Sequence, residues 1–317
     1  MKRILLLFAL LLAVGSHAAE PQKQWAVVDI SSCFLRQAPD YESPVESQSL
    51  MGTVVEITGS NRYWRKVNVP DYRNVWTNEL ALAPMSEEQI RAYKAAPKWV
   101  CTSALSFIYT SPDRSSERMR DLSMGDIVRK GDAPAPQGWS SVLTASGKSG
   151  WVPAEDLRDY TEWARSVKAT QESLVATAKL FIGTPYMWGG NSAKYFDCSG
   201  LMKLVYMMNG IVLPRNAREQ INCGEVIPYE LDKMQPGDLI FYGRMGSDGK
   251  PASVAHVAMY IGGGRIIHSS QYVRINSIVK GQPDYYERAT VGVRRILGNV
   301  DKGKGARSAA AAPWYFQ

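Results

Sequence analysis

One stretch of this chain is written twice. Phe34-Leu35-Arg36-Gln37-Ala38-Pro39-Asp40 lines up with Phe107-Ile108-Tyr109-Thr110-Ser111-Pro112-Asp113, and Met51-Gly52 falls on Met124-Gly125 at the same offset. Further on, Trp64, Val67, Trp76 and Leu82 match Trp139, Val142, Trp151 and Leu157, with two residues inserted. Self-similarity of this kind marks a duplicated module. Neither copy has a helical period, and Gly, Pro and Asp break it into short runs, so each predicts a small all-β unit, over residues 24–84 and 98–160. Between them, Ser86-Glu87-Glu88-Gln89 has the form of a helix cap. At 317 residues the chain still has room for a third, larger unit.

The two ends and the composition exclude several classes. Lys2 and Arg3, the apolar run Ile4 to Val14 and the small-residue site Ser16-His17-Ala18 predict a signal peptide over residues 1–18. No later run approaches the roughly 20 apolar residues of a membrane helix, and no cysteine stands at the cleavage point. The expectation is an exported protein, periplasmic or extracellular, with no membrane anchor, and a monomer. Without Lys2 and Arg3 the formal charge falls from +7 to +5, spread along the chain. That suits an anionic polymer such as cell wall, or simply a solvated surface, and gives no argument for nucleic acid. Cys33, Cys101, Cys198 and Cys223 form no CxxC pair, and beyond the leader only His256 and His268 remain as histidines. No metal site and no cofactor are expected, and at most one disulfide if Cys198 stays free.

The third unit, over residues 165–297, mixes helices and strands. Leu174, Ala178, Phe181 and Ile182 give an apolar stripe to a helical region ended by Gly183 and Pro185. Leu201, Leu204, Val205 and Met208 recur at helical spacing behind Asp197, a natural N-cap, so Cys198 falls in the first turn. Unpaired N–H groups and the helix dipole there favour thiolate and predict a pKa below the ordinary value of about 8.5. Locally, two readings stay open: an activated thiol, or one more buried small apolar residue. Strands are expected at Leu239 to Tyr242, Val254 to Ile261, Arg265 to Ser270 and Arg288 to Leu297. Gly243 to Ser253 reads as a polar loop and residues 298–317 as a loose tail. His256 and His268 oppose each other across a hairpin if an odd-length turn is centred on Gly262, whereas a two-residue turn puts them on opposite faces. On one face they would supply a base for Cys198 and a third group to orient that base.

FDCSGL after a PYxWGG loop, then QPGDLIFY, AHVAMYIG and IIHSS, resemble in order the NlpC/P60 cysteine peptidases over about Glu172 to Leu297. The repeats, each a strand ending in a Pro-containing turn, a Gly turn and a Trp pair, resemble bacterial SH3 (SH3b) domains. The resemblance implies an α+β architecture, a papain-like catalytic domain preceded by two small all-β SH3-like barrels. It implies Cys198 as nucleophile, His256 as base, His268 as third residue and Tyr186 near the oxyanion. Two SH3b modules before one such domain resemble the γ-D-glutamyl-L-diamino acid endopeptidases that take peptidoglycan stem peptides with a free N-terminal L-alanine. By that likeness Asp197 meets the substrate ammonium, Ser199 is a neighbouring contact and Trp188 an aromatic wall. Glu46 and Tyr72 are the best matches to the carboxylate and hydroxyl that the first module contributes. Where the family often has Asp-Ser after the Leu213-Pro214-Arg215 turn, this chain has Asn216-Ala217. The alternatives are an amidase or endopeptidase acting on intact wall, and an inactive wall-binding protein.

Overall fold

A computed structural model describes residues 23–303 and 305–312; the predicted signal peptide lies outside them. The first module has seven strands: β1 (Gln24–Val28), β2 (Cys33–Arg36), β3 (Val45–Ser49), β4 (Val54–Asn61), β5 (Trp64–Asn68), β6 (Val75–Asn78) and β7 (Leu82–Met85). Helix α1 (Glu87–Ala95) follows, opened by a capping box between Ser86 and Gln89. The second module has β8 (Lys98–Cys101), β9 (Leu105–Tyr109), β10 (Arg118–Ser123), β11 (Ile127–Lys130), β12 (Trp139–Leu143), β13 (Ser149–Pro153) and β14 (Leu157–Asp159). The sheets are ordered β3-β2-β6-β5-β4-β1-β7 and β10-β9-β13-β12-β11-β8-β14, the same topology strand for strand. The matched residues explain this. Leu35 and Ile108, Val67 and Val142, and Leu82 and Leu157 are buried at equivalent places.

The helical region that ends before Gly183 divides into α2 (Tyr160–Ser166) and α3 (Gln171–Lys179). Leu174, Ala178 and Phe181 are buried as the stripe predicts, whereas Ile182 is exposed, because the chain has left the helix by then. After the short pair β15 (Asn191–Ser192) and β16 (Tyr195–Phe196) comes α4 (Cys198–Met208), buried along its whole length. Asp197 caps it by accepting from the Gly200 N–H at 2.7 Å. β17 (Ile211–Val212) and α5 (Ala217–Gln220) lead into six strands: β18 (Glu225–Ile227), β19 (Leu239–Met245), β20 (Pro251–Gly262), β21 (Arg265–Ser270), β22 (Tyr272–Ser277) and β23 (Thr290–Arg295), in the order β18-β23-β19-β20-β21-β22. The long helix lies on this sheet, and its core runs on into Leu50, Val100, Met124 and Ile127 of the two modules.

Two expectations need correcting. Gly243 to Ser253 is the far end of a hairpin, with Gly243 paired to Val254 and Arg244 to Ser253. The tail is not loose where it is described: β24 (Arg307–Ser308) pairs with β17, and Ala306, Ala309 and Ala312 are buried. Small side chains let it lie close, with the Ala309 N–H donating to the Gly210 carbonyl just past α4 at 2.9 Å.

Candidate active site

The first module reaches the catalytic unit through polar contacts around α4. Lys203, 1% exposed, donates to Asp71 Oδ1 at 3.0 Å and to the Leu213 carbonyl at 2.8 Å. The Asn191 N–H donates to Gln48 Oε1 at 2.8 Å, and Tyr72 donates to Asn216 Oδ1 at 3.0 Å. The loop carrying Tyr186 and Trp188 fits between them because of its glycines. A Cβ on Gly189, whose φ is +79°, would lie 2.9 Å from Val45, and a Cβ on Gly200 would lie 2.0 Å from the Gly190 carbonyl oxygen. Helix, loop and β3 therefore close on one another, and Glu46 and Tyr72 come to the same cavity as Cys198.

That cavity, of about 610 Å³, is lined by Glu46, Tyr72, Tyr186, Trp188, Asp197, Cys198, Ser199 and His256, among others. His268 stands behind His256, fully buried, with its Nδ1 2.8 Å from His256 Nε2. The two rings meet by a route the sequence did not indicate. Gly263 and Gly264 form a two-residue turn with φ of 60° and 69°, which by itself would put the histidines on opposite faces. A bulge restores them: the pairing steps from Gly262↔Arg265 to Tyr260↔Ile266, with Gly262 at φ 91°. The rings are diagonal neighbours on one face, not directly opposed.

The electrostatics also depart from expectation. Burial pushes the Cys198 thiol up to about 11, and the adjacent Asp197 carboxylate adds to this. Hydrogen bonds from the Val257 and Ser199 backbone and the Arg215 charge pull the other way without prevailing. The predicted lowering fails because desolvation exceeds what a helix terminus supplies. Burial, then His268 and the cations Arg288 and Arg274, hold His256 down to about 3; burial holds His268 down to about 4. The resting pair is a neutral thiol and a neutral imidazole. Tyr186 is raised to about 12, chiefly by burial, and so remains a phenol able to donate.

Asp197 lines the cavity and is held from several sides. Its oxygens already accept from Gly189 N–H (3.0 Å), Gly200 N–H (2.7 Å), Ser199 Oγ (3.1 Å) and both terminal nitrogens of Arg215 (3.0 and 2.6 Å). These contacts fix the carboxylate in the wall of the cavity beside Cys198, and an ammonium meeting Asp197 there would share its oxygens with them. Glu46, which accepts only from Gln37 Nε2 among the described hydrogen bonds, is the freer carboxylate. Asn216, standing where the family often has Asp, holds the Tyr72 hydroxyl and caps α5 through Glu219. Sequence reasoning missed Arg215, Asn276 and Tyr286, whose ring packs edge-on to His268 with centroids 4.5 Å apart. None sits in a local pattern that announces its role. The four cysteines are all free, so no disulfide forms.

A thiol at the start of a buried helix that shares a cavity with His256, which is itself hydrogen-bonded to His268 on an antiparallel sheet, is the arrangement of a cysteine peptidase. The NlpC/P60 family model matches residues 183–295. A γ-D-glutamyl-L-lysine dipeptidyl-peptidase of Bacillus cereus is 28% identical, covering 89% of this chain and 94% of that protein. Dipeptidyl-peptidase 6 of Lysinibacillus sphaericus is 31% identical over 60% of this chain and 68% of its own. The crystal structure of an NlpC/P60 family protein from Bacillus cereus superposes with a TM-score of 0.71 at 27% identity, covering 86% of this chain and 99% of that one. The chain belongs to the NlpC/P60 family of cysteine peptidases.

Proposed function

We propose that this protein hydrolyses the amide bond between γ-D-glutamate and a diamino acid in peptidoglycan stem peptides, preferring soluble fragments with a free N-terminal L-alanine. One observation carries the reading: Glu46 and Tyr72 of the first module line the same cavity as Cys198. A carboxylate and a hydroxyl at that end suit an ammonium one γ-glutamyl residue away from the scissile bond. The γ-D-glutamyl-L-lysine dipeptidyl-peptidase relatives support the same substrate class. On this reading residues 24–84 and 98–160 are SH3b domains, 165–297 is the catalytic domain, and the leader over 1–18 directs export. Among the described residues no helix is long and apolar enough to cross a membrane.

Cys198 and His256 carry the steps, and His268 holds His256 in orientation. The thiol proton passes to His256 as the sulfur attacks the γ-carbonyl carbon, in step with attack because the resting pair is neutral. Tyr186 donates its hydroxyl to the developing oxyanion. The C–N bond breaks as His256 returns the proton to the leaving amine. Water, deprotonated by His256, then releases the γ-glutamyl product and the thiol. Trp188 and Ser199 line the substrate's path, and Asp197 holds the helix start and the loop in place.

The test compares L-Ala-γ-D-Glu-diamino acid tripeptide with its N-acetyl form. The free peptide should be cleaved at least ~100-fold faster, since acylation removes the charge that Glu46 is placed to meet. Equal rates would favour an enzyme of intact wall instead. Cys198→Ala should abolish turnover while still binding the peptide; unchanged turnover would end the catalytic assignment.

A further inference from the structure

The row of hydrogen bonds behind Cys198 does not stop at His268. His268 Nε2 lies 2.9 Å from Asn276 Oδ1, and Asn276 Nδ2 donates to the Asp284 carbonyl at 2.8 Å. The same carbonyl accepts the Ser277 N–H at 3.2 Å, so the segment carrying it is tied to β22 twice. With its nitrogen committed as a donor, the amide presents its oxygen to His268 as an acceptor and nothing else. His268 Nε2 therefore carries the hydrogen, and in a neutral ring Nδ1 then holds a lone pair. That lone pair faces His256 Nε2 at 2.8 Å, which must in turn carry a hydrogen. His256 Nδ1 is left unprotonated, which is the form a base needs.

We propose that Asn276 is a positioning residue that, acting through His268, selects the tautomer in which His256 Nδ1 is free to take the thiol proton. The inference rests on the reading that Cys198 and His256 do the chemistry, and extends it to a side chain remote from the reacting atoms. A second histidine cannot decide this alone, because either of its nitrogens can donate or accept. An amide anchored by its own nitrogen has no such freedom. In the opposite tautomer His268 Nδ1–H would donate to His256 Nε2, and His256 would turn an N–H toward the sulfur. That state sets the Nε2 lone pair of His268 against the Asn276 oxygen. The sheet makes the row possible: His256, His268 and Asn276 stand on β20, β21 and β22. His268 pairs with Arg274 and Ile266 with Asn276, so His268 and Asn276 are diagonal neighbours on one face, as the two histidines are.

With only three histidines in the chain, one of them in the leader, the imidazole nitrogens are readily resolved by long-range ¹H–¹⁵N spectra. Both buried rings should be Nε2–H tautomers at neutral pH. Asn276→Leu removes the acceptor, and a buried N–H without a partner destabilises that tautomer enough to lower kcat ~10–100-fold; KM should stay within about twofold and the ring signals should move toward the other tautomer. Asn276→Asp keeps an acceptor and should restore kcat to within several-fold, with the acid limb of the pH profile moved to higher pH because a carboxylate favours imidazolium. A contact that was merely structural would lower thermal stability in both variants and leave the pH limb where it was. An Nδ1–H signal from either ring of the unmodified protein overturns the proposal. So does a folded Asn276→Leu with unchanged kcat and tautomers. If that variant does not fold, the unmodified protein's spectra and the Asp variant decide. Cys198→Ala, assayed alongside, separates the two levels: turnover there defeats the catalytic reading, whereas an inert Cys198→Ala beside an unaffected Asn276→Leu defeats only this proposal.

Discussion

Arg215→Met should show how far the site depends on one buried cation. Arg215 is 2% exposed and donates to Asp197 Oδ1 at 3.0 Å and Oδ2 at 2.6 Å, to Ser47 Oγ at 2.9 Å, to Ser199 Oγ at 3.1 Å and to the Gly190 carbonyl at 3.2 Å. Methionine fills much of the same volume but leaves Asp197, 7% exposed, without its counter-charge. Breaking a buried pair from one side costs about 3–5 kcal/mol. Gly189 N–H, Ser199 Oγ and Gly200 N–H would still serve the carboxylate, which places the expected loss near the lower end, about 3 kcal/mol. In urea unfolding this should appear as a lower midpoint, and in thermal unfolding as a fall of roughly 6–12 °C. Asp197→Asn added to Arg215→Met should recover about 2 kcal/mol, because no buried charge is then left alone. A single-variant loss below about 1 kcal/mol, or a double variant no more stable than the single, would refute the view that the pair exists to neutralise Asp197 beside the nucleophile.

Two further outcomes follow from the same electrostatics. Because the thiol is raised to about 11, alkylation of Cys198 by iodoacetamide should be slow at neutral pH and rise close to tenfold per pH unit toward that value. A rate independent of pH between about 5 and 8 would instead mean a standing thiolate–imidazolium pair. The histidines bear on stability. Both are neutral in the fold, with pKa values lowered to about 3 and 4, while the unfolded chain protonates near 6.5. Their contribution is thus complete above pH 6.5 and lost as the pH falls toward those values, by about 2 kcal/mol for the pair between pH 6.5 and 5.5. Unfolding free energies measured across that interval should show this slope, and His256→Gln with His268→Asn should flatten it; an identical slope in that variant would count against buried neutral imidazoles.

What could be read from the sequence was local or repeated. The N-cap and apolar stripe of α4, the Ser86 cap of α1 and the two matched modules each lie within one contiguous segment or its copy. Their chemistry acts over a few residues, through side chain to backbone bonds and helical or strand period. The family likeness supplied Glu46 and Tyr72, which no local rule would have chosen. The tertiary structure alone decided the rest, since the deciding energies there are desolvation and long-range register. A single extra residue in a bulge put His256 and His268 on one face. Burial, which no position in a sequence states, kept the Cys198 thiol neutral against the pull of the helix dipole. Arg215 became meaningful only when folding closed solvent away from it, and Asn276 only when β22 brought it beside the buried His268: a buried polar group must find partners, and which partners lie within reach is settled by the packing of the whole chain.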